Sequence, residues 1–189
     1  NIFQLALYAL FPWLSPYGPE EGVLETWDYY VSQKGRRIVA VGGVDAHGII
    51  GDYEEDFVTV STYVLTPDPF NGAFEHDSAS VYAAIREGRC FVGADKVANA
   101  SSFRCHVESG GQPVQMGGTA RLARGANLTV SAPEPGLIRV IHDGVPVAEE
   151  WGSSLAIELD RRGAYRVEVK RKACRRYVPW IFGNHIYVV

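Results

Sequence analysis

The sequence predicts an α/β part followed by an all-β part. Two observations predict the first part: a helical pattern over residues 19–35 and a continuous apolar run over residues 37–44 directly after it. A helix followed by a buried strand is the order of elements in α/β folds. In the second half, apolar residues alternate with polar ones, as in antiparallel strands that have one buried face. The boundary is expected near residue 100, where small polar residues gather.

The helix of residues 19–35 is predicted from its ends and its apolar stripe. It begins with Pro19, has two glutamates in its first turn and ends at Gly35. The run 37–44 reads Arg-Ile-Val-Ala-Val-Gly-Gly-Val. Because it shows no polar alternation after the arginine, it predicts a strand buried on both faces, as in a parallel sheet covered by helices.

Further elements are expected before the boundary. Residues 57–65 are predicted to form a strand, and residues 78–87 a helix that Gly88 ends. The short apolar run 90–92 is predicted to be another strand. Together with the first helix and strand, these elements complete the α/β part.

The second half carries the signals of antiparallel strands. Leu155, Ile157 and Leu159 alternate with polar residues, and the same alternation follows over residues 165–170, where Arg, Glu and Lys are expected to face solvent. Asp143-Gly144 lies between two apolar runs and predicts a tight hairpin turn. These strands predict a small immunoglobulin-like antiparallel β-sandwich.

Composition excludes several classes of protein. With 189 residues, 47% of them hydrophobic and 21% charged, the chain belongs to the ordinary globular range rather than to disordered proteins. The net charge of −4 argues against nucleic acid or a membrane surface as the partner. Cys90, Cys105 and Cys174 are widely spaced, which predicts free thiols and a cytoplasmic location. The apolar stretch 2–14 is expected to be a buried core segment.

Asp45 and His47 are the candidate metal ligands. They stand two residues apart where the predicted strand 37–44 ends, so an extended chain would place both side chains on the same side. A carboxylate and an imidazole in this arrangement suit one divalent ion or two adjacent ions, and the glycines nearby allow a close approach. The alternative for so short a motif is a turn carboxylate hydrogen-bonded to a histidine.

The surroundings of this motif resemble a known family. Gly-Gly-Val-Asp-Ala-His, residues 42–47, resembles the last metal-binding motif of the PHP (polymerase and histidinol phosphatase) hydrolases, usually written Gly-Ser-Asp-Ala-His. Residues 81–92, 163–169 and 179–188 resemble the CehA/McbA-type branch of that family. Two departures are Val44, where serine is usual, and His185, where the terminal motif has proline.

This resemblance implies a fold. Residues 1–100 would be the C-terminal part of a PHP-type distorted (β/α) barrel, and residues 101–189 an accessory β-sandwich. The family's upstream His-x-His motif and its other ligands would precede Asn1. A tight metal site needs about three or four protein ligands, so the chain alone is expected to be inactive.

The resemblance also implies an activity. Family members hydrolyse phosphate esters or related esters of small molecules with a cluster of two or three divalent ions, for which Mn, Zn and Fe are the candidates. Asp45 and His47 match metal ligands of that cluster. The metal would supply a hydroxide nucleophile and neutralise charge on the substrate oxygens. Neither nucleic acid nor membrane is expected as a partner.

Alternatives to the hydrolase remain open from the sequence. One is a non-catalytic binding or assembly module that acts through the β-sandwich. Another is a homo-oligomer in which a second chain supplies the missing half of the site. The basic run 170–176, Lys-Arg-Lys-Ala-Cys-Arg-Arg, would suit a phosphorylated or nucleic-acid ligand, but a solvated loop between two strands is the favoured interpretation.

Overall fold

The computed structural model describes residues 18–20, 22–44, 46, 53–173 and 176–189. Within these ranges the chain forms three helices and ten strands. The helices are α1 (Val23–Ser32), α2 (Tyr53–Phe57) and α3 (Phe74–Glu87). The strands are β1 (Ser61–Val64), β2 (Cys90–Gly93), β3 (Arg104–Glu108), β4 (Val114–Gln115), β5 (Thr119–Ala120), β6 (Asn127–His142), β7 (Val145–Glu158), β8 (Gly163–Ala173), β9 (Arg176–Gly183) and β10 (Ile186–Val188).

The strands form a mostly antiparallel β-sheet. Its order is β1-β2-β9-β8-β6-β3-β4, with β7 paired to β6 and β10 paired to both β8 and β5. Among the described strands, β5 and β10 are the one parallel pair. The antiparallel part of the predicted fold is confirmed at this level, whereas the parallel barrel stays a prediction.

Strands from both sides of the predicted boundary share this sheet. β1 pairs with β2, and β2 pairs in turn with β9 through Phe91↔Gly183 and Gly93↔Ile181. The segment before residue 100 is therefore tied to the second half by backbone hydrogen bonds. The division of the chain into two domains at that residue stays a prediction.

Strand β6 links two parts of the sheet. Its first half, Asn127 to Ser131, pairs with β3, and its second half, Leu137 to His142, pairs with β8. The register against β7 shifts between Ser131 and Gly136, a stretch that contains two prolines, which cannot donate to a ladder. The bend lets one strand serve both parts, as in sandwiches whose strands change sheet at a bulge.

The hairpin turn predicted at Asp143-Gly144 is confirmed. Both residues have positive φ values, 48° and 86°, and β6 and β7 pair directly on either side through His142↔Val145. Two consecutive positive φ values are those of a type I′ turn, whose twist matches that of the flanking strands.

The core lies between the strands of the second half and β2. The side chains of Trp180, Phe91 and Phe103 are fully buried at its centre, and the Phe91 and Phe103 rings lie 5.0 Å apart. The indole Nε1 of Trp180 donates to the carbonyl of Ala98 at 2.6 Å, so its polar atom is satisfied inside the core. Truncating an aromatic residue at such a position typically costs about 3–5 kcal/mol.

Helix α1 confirms the first predicted helix, and Gly35 follows it with a φ of 60°. Trp27 and Val31 on one side of the helix pack against Ala164 of β8. Helix α3 begins at Phe74, earlier than predicted, and ends at Gly88, which has a φ of 80° as expected of a glycine cap.

Two strand predictions in the first half need correction. Residues 37–44 form no strand, and the side chains of Ile38 and Val41 are 39% and 58% exposed, so burial on both faces was wrong. The apolar run alone does not reveal which strand would pair with it. Among the described residues, no strand pairs with it. In the range 57–65, the chain leaves α2 at Phe57 and enters β1 only at Ser61.

Candidate functional site

Asp45 and His47, the predicted metal ligands, lie outside the described residues. The structure does describe residues 36–44, which lead up to them, and Ala46 between them. The conformation of this segment sets where the motif begins, and its contacts are therefore the structural basis of the site.

Side chains hold one edge of the segment 36–44. The N–H of Ala40 donates to Oδ1 of Asn184 at 2.8 Å, and Nδ2 of Asn184 donates to the carbonyl of Ala40 at 3.0 Å. Two residues on, the N–H of Gly42 donates to Oγ1 of Thr62 at 2.9 Å, and Oγ1 lies 3.3 Å from the Gly42 carbonyl, which accepts from it. The side-chain amide of Asn184 and the hydroxyl of Thr62 thus make the hydrogen bonds that a neighbouring strand would otherwise make along this edge.

Asn184 also joins the segment to β2. Besides its two bonds to Ala40, Nδ2 contacts the carbonyl oxygen of Cys90 at 2.9 Å and its Sγ at 3.3 Å. At the start of the segment, Nε1 of Trp27 donates to the carbonyl of Ile38 at 2.8 Å. The attachments therefore fall on residues 38, 40 and 42, which is the alternation of an extended chain.

The other edge of the segment has no hydrogen-bond partner among the described residues. In an extended chain, the backbone groups of alternate residues point to opposite sides, so those of Val39, Val41 and Gly43 point away from Asn184 and Thr62. No described group hydrogen-bonds to the backbone of these three residues. An extended segment whose second edge has no partner in the described part of the chain can accept a further strand there.

Gly42 allows the segment to lie close to β1 and β2. A Cβ at this position would come within 2.7 Å of Cγ1 of Val60 and 2.8 Å of Cγ1 of Val92. At Gly43 a Cβ would meet nothing within 4 Å. The close approach at Gly42 thus concerns protein packing, and the approach of a ligand to these glycines stays a prediction.

After the motif, the chain contacts helix α2. The hydroxyl of Tyr53 donates to the carbonyl of Ala46 at 3.2 Å. The Tyr53 ring packs edge-on against Phe57, with centroids 5.4 Å apart, and both side chains are about half exposed. The residue between the two predicted ligands is therefore anchored to the next helix at the surface.

A buried ionic cluster, formed by Asp28, Arg166, Glu168 and His185, fixes helix α1 to the sheet. Arg166 donates through Nε and Nη2 to the two carboxylate oxygens of Asp28, each at 2.6 Å, and through Nη1 to Glu168 at 2.6 Å. Nε2 of His185 lies 3.2 Å from Oδ1 of Asp28. The four side chains are between 2% and 8% exposed.

The charges in this cluster are set by burial and pairing. Burial acts to raise the pKa of Asp28, but the hydrogen bonds from Arg166 and His185 outweigh it, so the pKa lies below 3.8. For Arg166, burial acts to lower the pKa, and the bonds to Asp28 and Glu168 raise it overall. Burial dominates at His185 and lowers its pKa below 6.5, so the imidazole is neutral at pH 7.

The neutral His185 then donates from Nε2 to Asp28, and its Nδ1 becomes an acceptor. Nδ1 is buried and has no hydrogen-bond partner in the described part of the chain. The ring lies edge-on to Trp27, with centroids 4.6 Å apart, and Arg166 lies 5.3 Å from the Trp27 ring centroid. The cluster is sealed from solvent, so its members position α1 and the neighbouring Asn184 rather than meet a substrate.

Sequence reasoning missed this cluster. Arg166 and Glu168 were expected on the solvent face of an alternating strand, which is wrong because helix α1 covers that face of β8. One signal was present: Asp28 stands within the apolar stripe of α1, between Trp27 and Val31, and a carboxylate there requires a buried partner. Its partner lies 138 positions later, beyond any local pattern.

The basic run 170–176 is largely strand rather than a solvated loop, which corrects the prediction. It forms the end of the β8–β9 hairpin, with Ala173 paired to Arg176 and residues 174–175 outside the described residues. Arg171 donates to Glu134 at 2.6 Å and lies over the ring of Trp180 at 5.2 Å. Part of the positive charge is therefore neutralised within the sheet.

Cys90 and Cys105 are free, as predicted, and both are buried. Burial raises the pKa of Cys105 to about 12, so this thiol stays protonated and is a poor metal ligand. Among the described residues, no group of three or more His, Cys, Asp or Glu side chains is placed to hold a metal ion.

Comparisons with protein-family models, with curated proteins and with solved structures find no match to this chain. None of the described helices is long and apolar enough to cross a bilayer. The function is therefore argued from the residues and from the geometry of segment 36–44.

Proposed function

We propose that the chain is part of a metal-dependent hydrolase of the PHP type that cleaves phosphate esters or related esters of small molecules. The observation that supports it most directly is the position of Gly-Gly-Val-Asp-Ala-His in the sequence, directly after an extended segment that is anchored at one edge and meets no described partner at the other. Metal ligands at the ends of adjoining strands are the usual arrangement in α/β barrels.

The edge of the segment without a described partner gives the missing ligands a place to enter. A strand paired to Val39, Val41 and Gly43 would end beside Asp45 and His47 if it ran parallel to the segment. We place the remaining ligands in sequence upstream of residue 1, and the chain alone is then inactive because two ligands bind a metal weakly.

The residues suit the proposed ions. One carboxylate and one imidazole are ligands shared by Mn, Zn and Fe, of which a complete site would hold two or three. When bound, such a cluster would activate a water molecule as the nucleophile and neutralise charge on the ester oxygens. In this proposal the contacts of Ala40 and Gly42 with Asn184 and Thr62 fix the segment from which the chain enters the motif.

The test uses the chain expressed together with the sequence that precedes it. Hydrolysis of p-nitrophenyl phosphate and bis-p-nitrophenyl phosphate is measured with Mn, Zn or Fe, for the wild type, Asp45→Asn and His47→Ala. We expect each substitution to lower kcat by at least about a hundredfold, because each removes a metal ligand. Unchanged hydrolysis in both variants would refute the assigned roles.

Elemental analysis and size measurement separate the alternatives. A longer protein without bound metal and without hydrolytic activity would favour a non-catalytic module that acts through the β-sandwich. If the 189-residue chain is a homo-oligomer that binds metal and hydrolyses ester by itself, a second copy completes the site. Sizing chromatography with light scattering distinguishes this case from the first.

A further inference from the structure

A cavity of about 560 Å³ lies where four parts of the chain meet. Its walls are the C-terminal end of α3, the turn 116–118, the start of segment 36–44 and residues 184–187. Three arginines line it, Arg37, Arg86 and Arg89, together with one carboxylate, Glu87. The volume is in the range of small-molecule sites, which is roughly 300–1,000 Å³.

The arginines exceed the carboxylates that could neutralise them. Nη1 of Arg89 is bonded to Glu87, but its Nε is buried and has no partner in the described part of the chain. Arg86, in the last turn of α3, makes no ion pair with any described residue. The buried Nε has almost no accessible surface and does not reach a ligand, so it is the excess of guanidinium charge over the one described carboxylate that favours an anion in the cavity.

Arg37 approaches the cavity from a different element. Its guanidinium donates to the carbonyl of Gly117 at 3.2 Å and to Oγ1 of Thr119 at 2.5 Å, and lies over the ring of Tyr187 at 4.3 Å. These contacts fix its position without neutralising its charge. A fixed guanidinium is suited to a phosphate or carboxylate because little further ordering is needed on binding.

The turn 116–118 forms a further wall of the cavity. A Cβ at Gly117 would overlap the carbonyl oxygen of Glu87, so the turn 116–118 is packed directly on the end of α3. His185 also borders the cavity, but its side chain is buried and paired with Asp28, so it belongs to the ionic cluster and not to the ligand site.

Helix capping alone does not account for this arrangement. Basic residues are favourable near a helix C-terminus, and Arg86 fits that role. The same effect does not explain Arg37, which lies outside the helix and lines the same cavity. Its presence there points to an anionic ligand.

We propose that this cavity binds a small molecule through its phosphate group, held by Arg37, Arg86 and Arg89. Phosphate is favoured over a carboxylate because three guanidiniums in the lining of one cavity match a dianion with several acceptor oxygens. The inference is independent of the proposed hydrolase, since none of the lining residues belongs to the metal-binding motif.

The first experiment is isothermal titration calorimetry of the 189-residue chain with inorganic phosphate, in EDTA so that no metal site contributes. We expect saturable binding with a dissociation constant at or below about 1 mM. Absence of saturable binding would overturn the proposal. Binding of citrate without binding of phosphate would also overturn it, because the ligand would then be a carboxylate.

Three variants test the location and the sign of the charge effect. Arg86→Gln should weaken phosphate binding by about tenfold or more, since it removes one charged hydrogen bond. Glu87→Gln should strengthen binding several-fold, because it removes the one described carboxylate of the cavity and frees Arg89. Arg121→Gln changes the net charge equally at an exposed position outside the cavity and should leave the affinity unchanged.

The same variants distinguish a ligand site from a purely structural role of these charged residues. If Arg86→Gln and Arg121→Gln weaken binding equally, phosphate responds only to the total charge and the cavity is not the site. If Glu87→Gln weakens binding, the Arg89–Glu87 pair serves the fold rather than the ligand. Circular dichroism of each variant verifies that it is folded.

Discussion

The sheet strands and the segment 36–44 are both extended, yet they are held in different ways. Strand β8 pairs with β6 on one edge and with β10 and β9 on the other, and its side chains are buried from Tyr165 to Val169. Segment 36–44 is attached at one edge by the side chains of Trp27, Asn184 and Thr62. The first region is stabilised by its own ladder and core, whereas the second depends on a few polar contacts.

This difference assigns the two regions different roles. Losing one bond of a ladder removes only a small share of what holds a strand, since a single hydrogen bond contributes about 1 kcal/mol. The segment has few bonds to lose, so each of its anchors controls where the metal-binding motif begins. The sheet is thus the stable part of the fold, and the segment is positioned by its contacts with that part.

The largest effect is expected at the junction of the two regions, in the buried ionic cluster. Arg166→Met would leave Asp28 and Glu168 buried without their cation. We expect a loss of about 3–5 kcal/mol in the free energy of unfolding, measured by urea denaturation. The control is Arg139→Met, which removes an exposed pair with Glu149 and should cost less than about 1 kcal/mol. Equal losses in both variants would contradict the structural role of the cluster.

Next in size is the loss of the amide that anchors the segment. Asn184→Ala removes both bonds to Ala40 and the bond to Cys90. We expect a loss of up to about 3 kcal/mol, together with faster hydrogen exchange of the Ala40 amide than of amides in β8. Asn127→Ala, which removes an exposed bond to Gly125, is the matched control. Equally slow exchange at Ala40 in wild type and variant would show that the anchor lies elsewhere.

A smaller effect is expected from crowding the segment. Gly42→Ala would bring a methyl group within 2.8 Å of two valine side chains, whereas Gly43→Ala would meet open space. We expect the first to destabilise the fold by about 1–2 kcal/mol in thermal unfolding and the second to have little effect. If the order were reversed, the close contact of the segment with β1 and β2 would be wrong.

The smallest effect concerns pH. The pKa of His185 is lowered below 6.5 by burial, so below that pH the unfolded chain takes up a proton that the folded chain does not. Stability should therefore fall as the pH decreases from about 7 to about 5, and His185→Gln should reduce this slope. Protonation of Asp28 lowers the free energy of unfolding further, but only below pH 3.8, because the pKa of this residue is lowered in the folded chain. Urea denaturation across this range, with exposed His76→Gln as the control, measures the slopes.

Local signals predicted local structure well. The Asp143-Gly144 turn and the glycine that ends α3 follow from backbone preferences of single residues, and both are confirmed. The exposure of residues 37–44 was missed. An apolar run indicates a preference for burial, but it does not show whether other parts of the chain cover it. The Asp28–Arg166 pair was missed for a related reason, since alternation along β8 does not reveal that a distant helix covers its polar face.

For the candidate site, the sequence predicted the ligands Asp45 and His47, and the structure describes how the chain approaches them. The roles of Asn184 and Thr62 could not be predicted, because each bridges elements that are distant in sequence. The phosphate cavity was missed for the same reason, as its arginines come from two separate parts of the chain.

The bent strand β6 has a consequence for unfolding. One continuous strand pairs with β3 at its beginning and with β8 at its end. Neither part of the sheet can therefore melt without exposing the shared strand of the other. We expect slow amides in β3 and in β8 to exchange together in a single cooperative opening. A destabilising change at one end of the molecule should therefore also speed exchange at the other end.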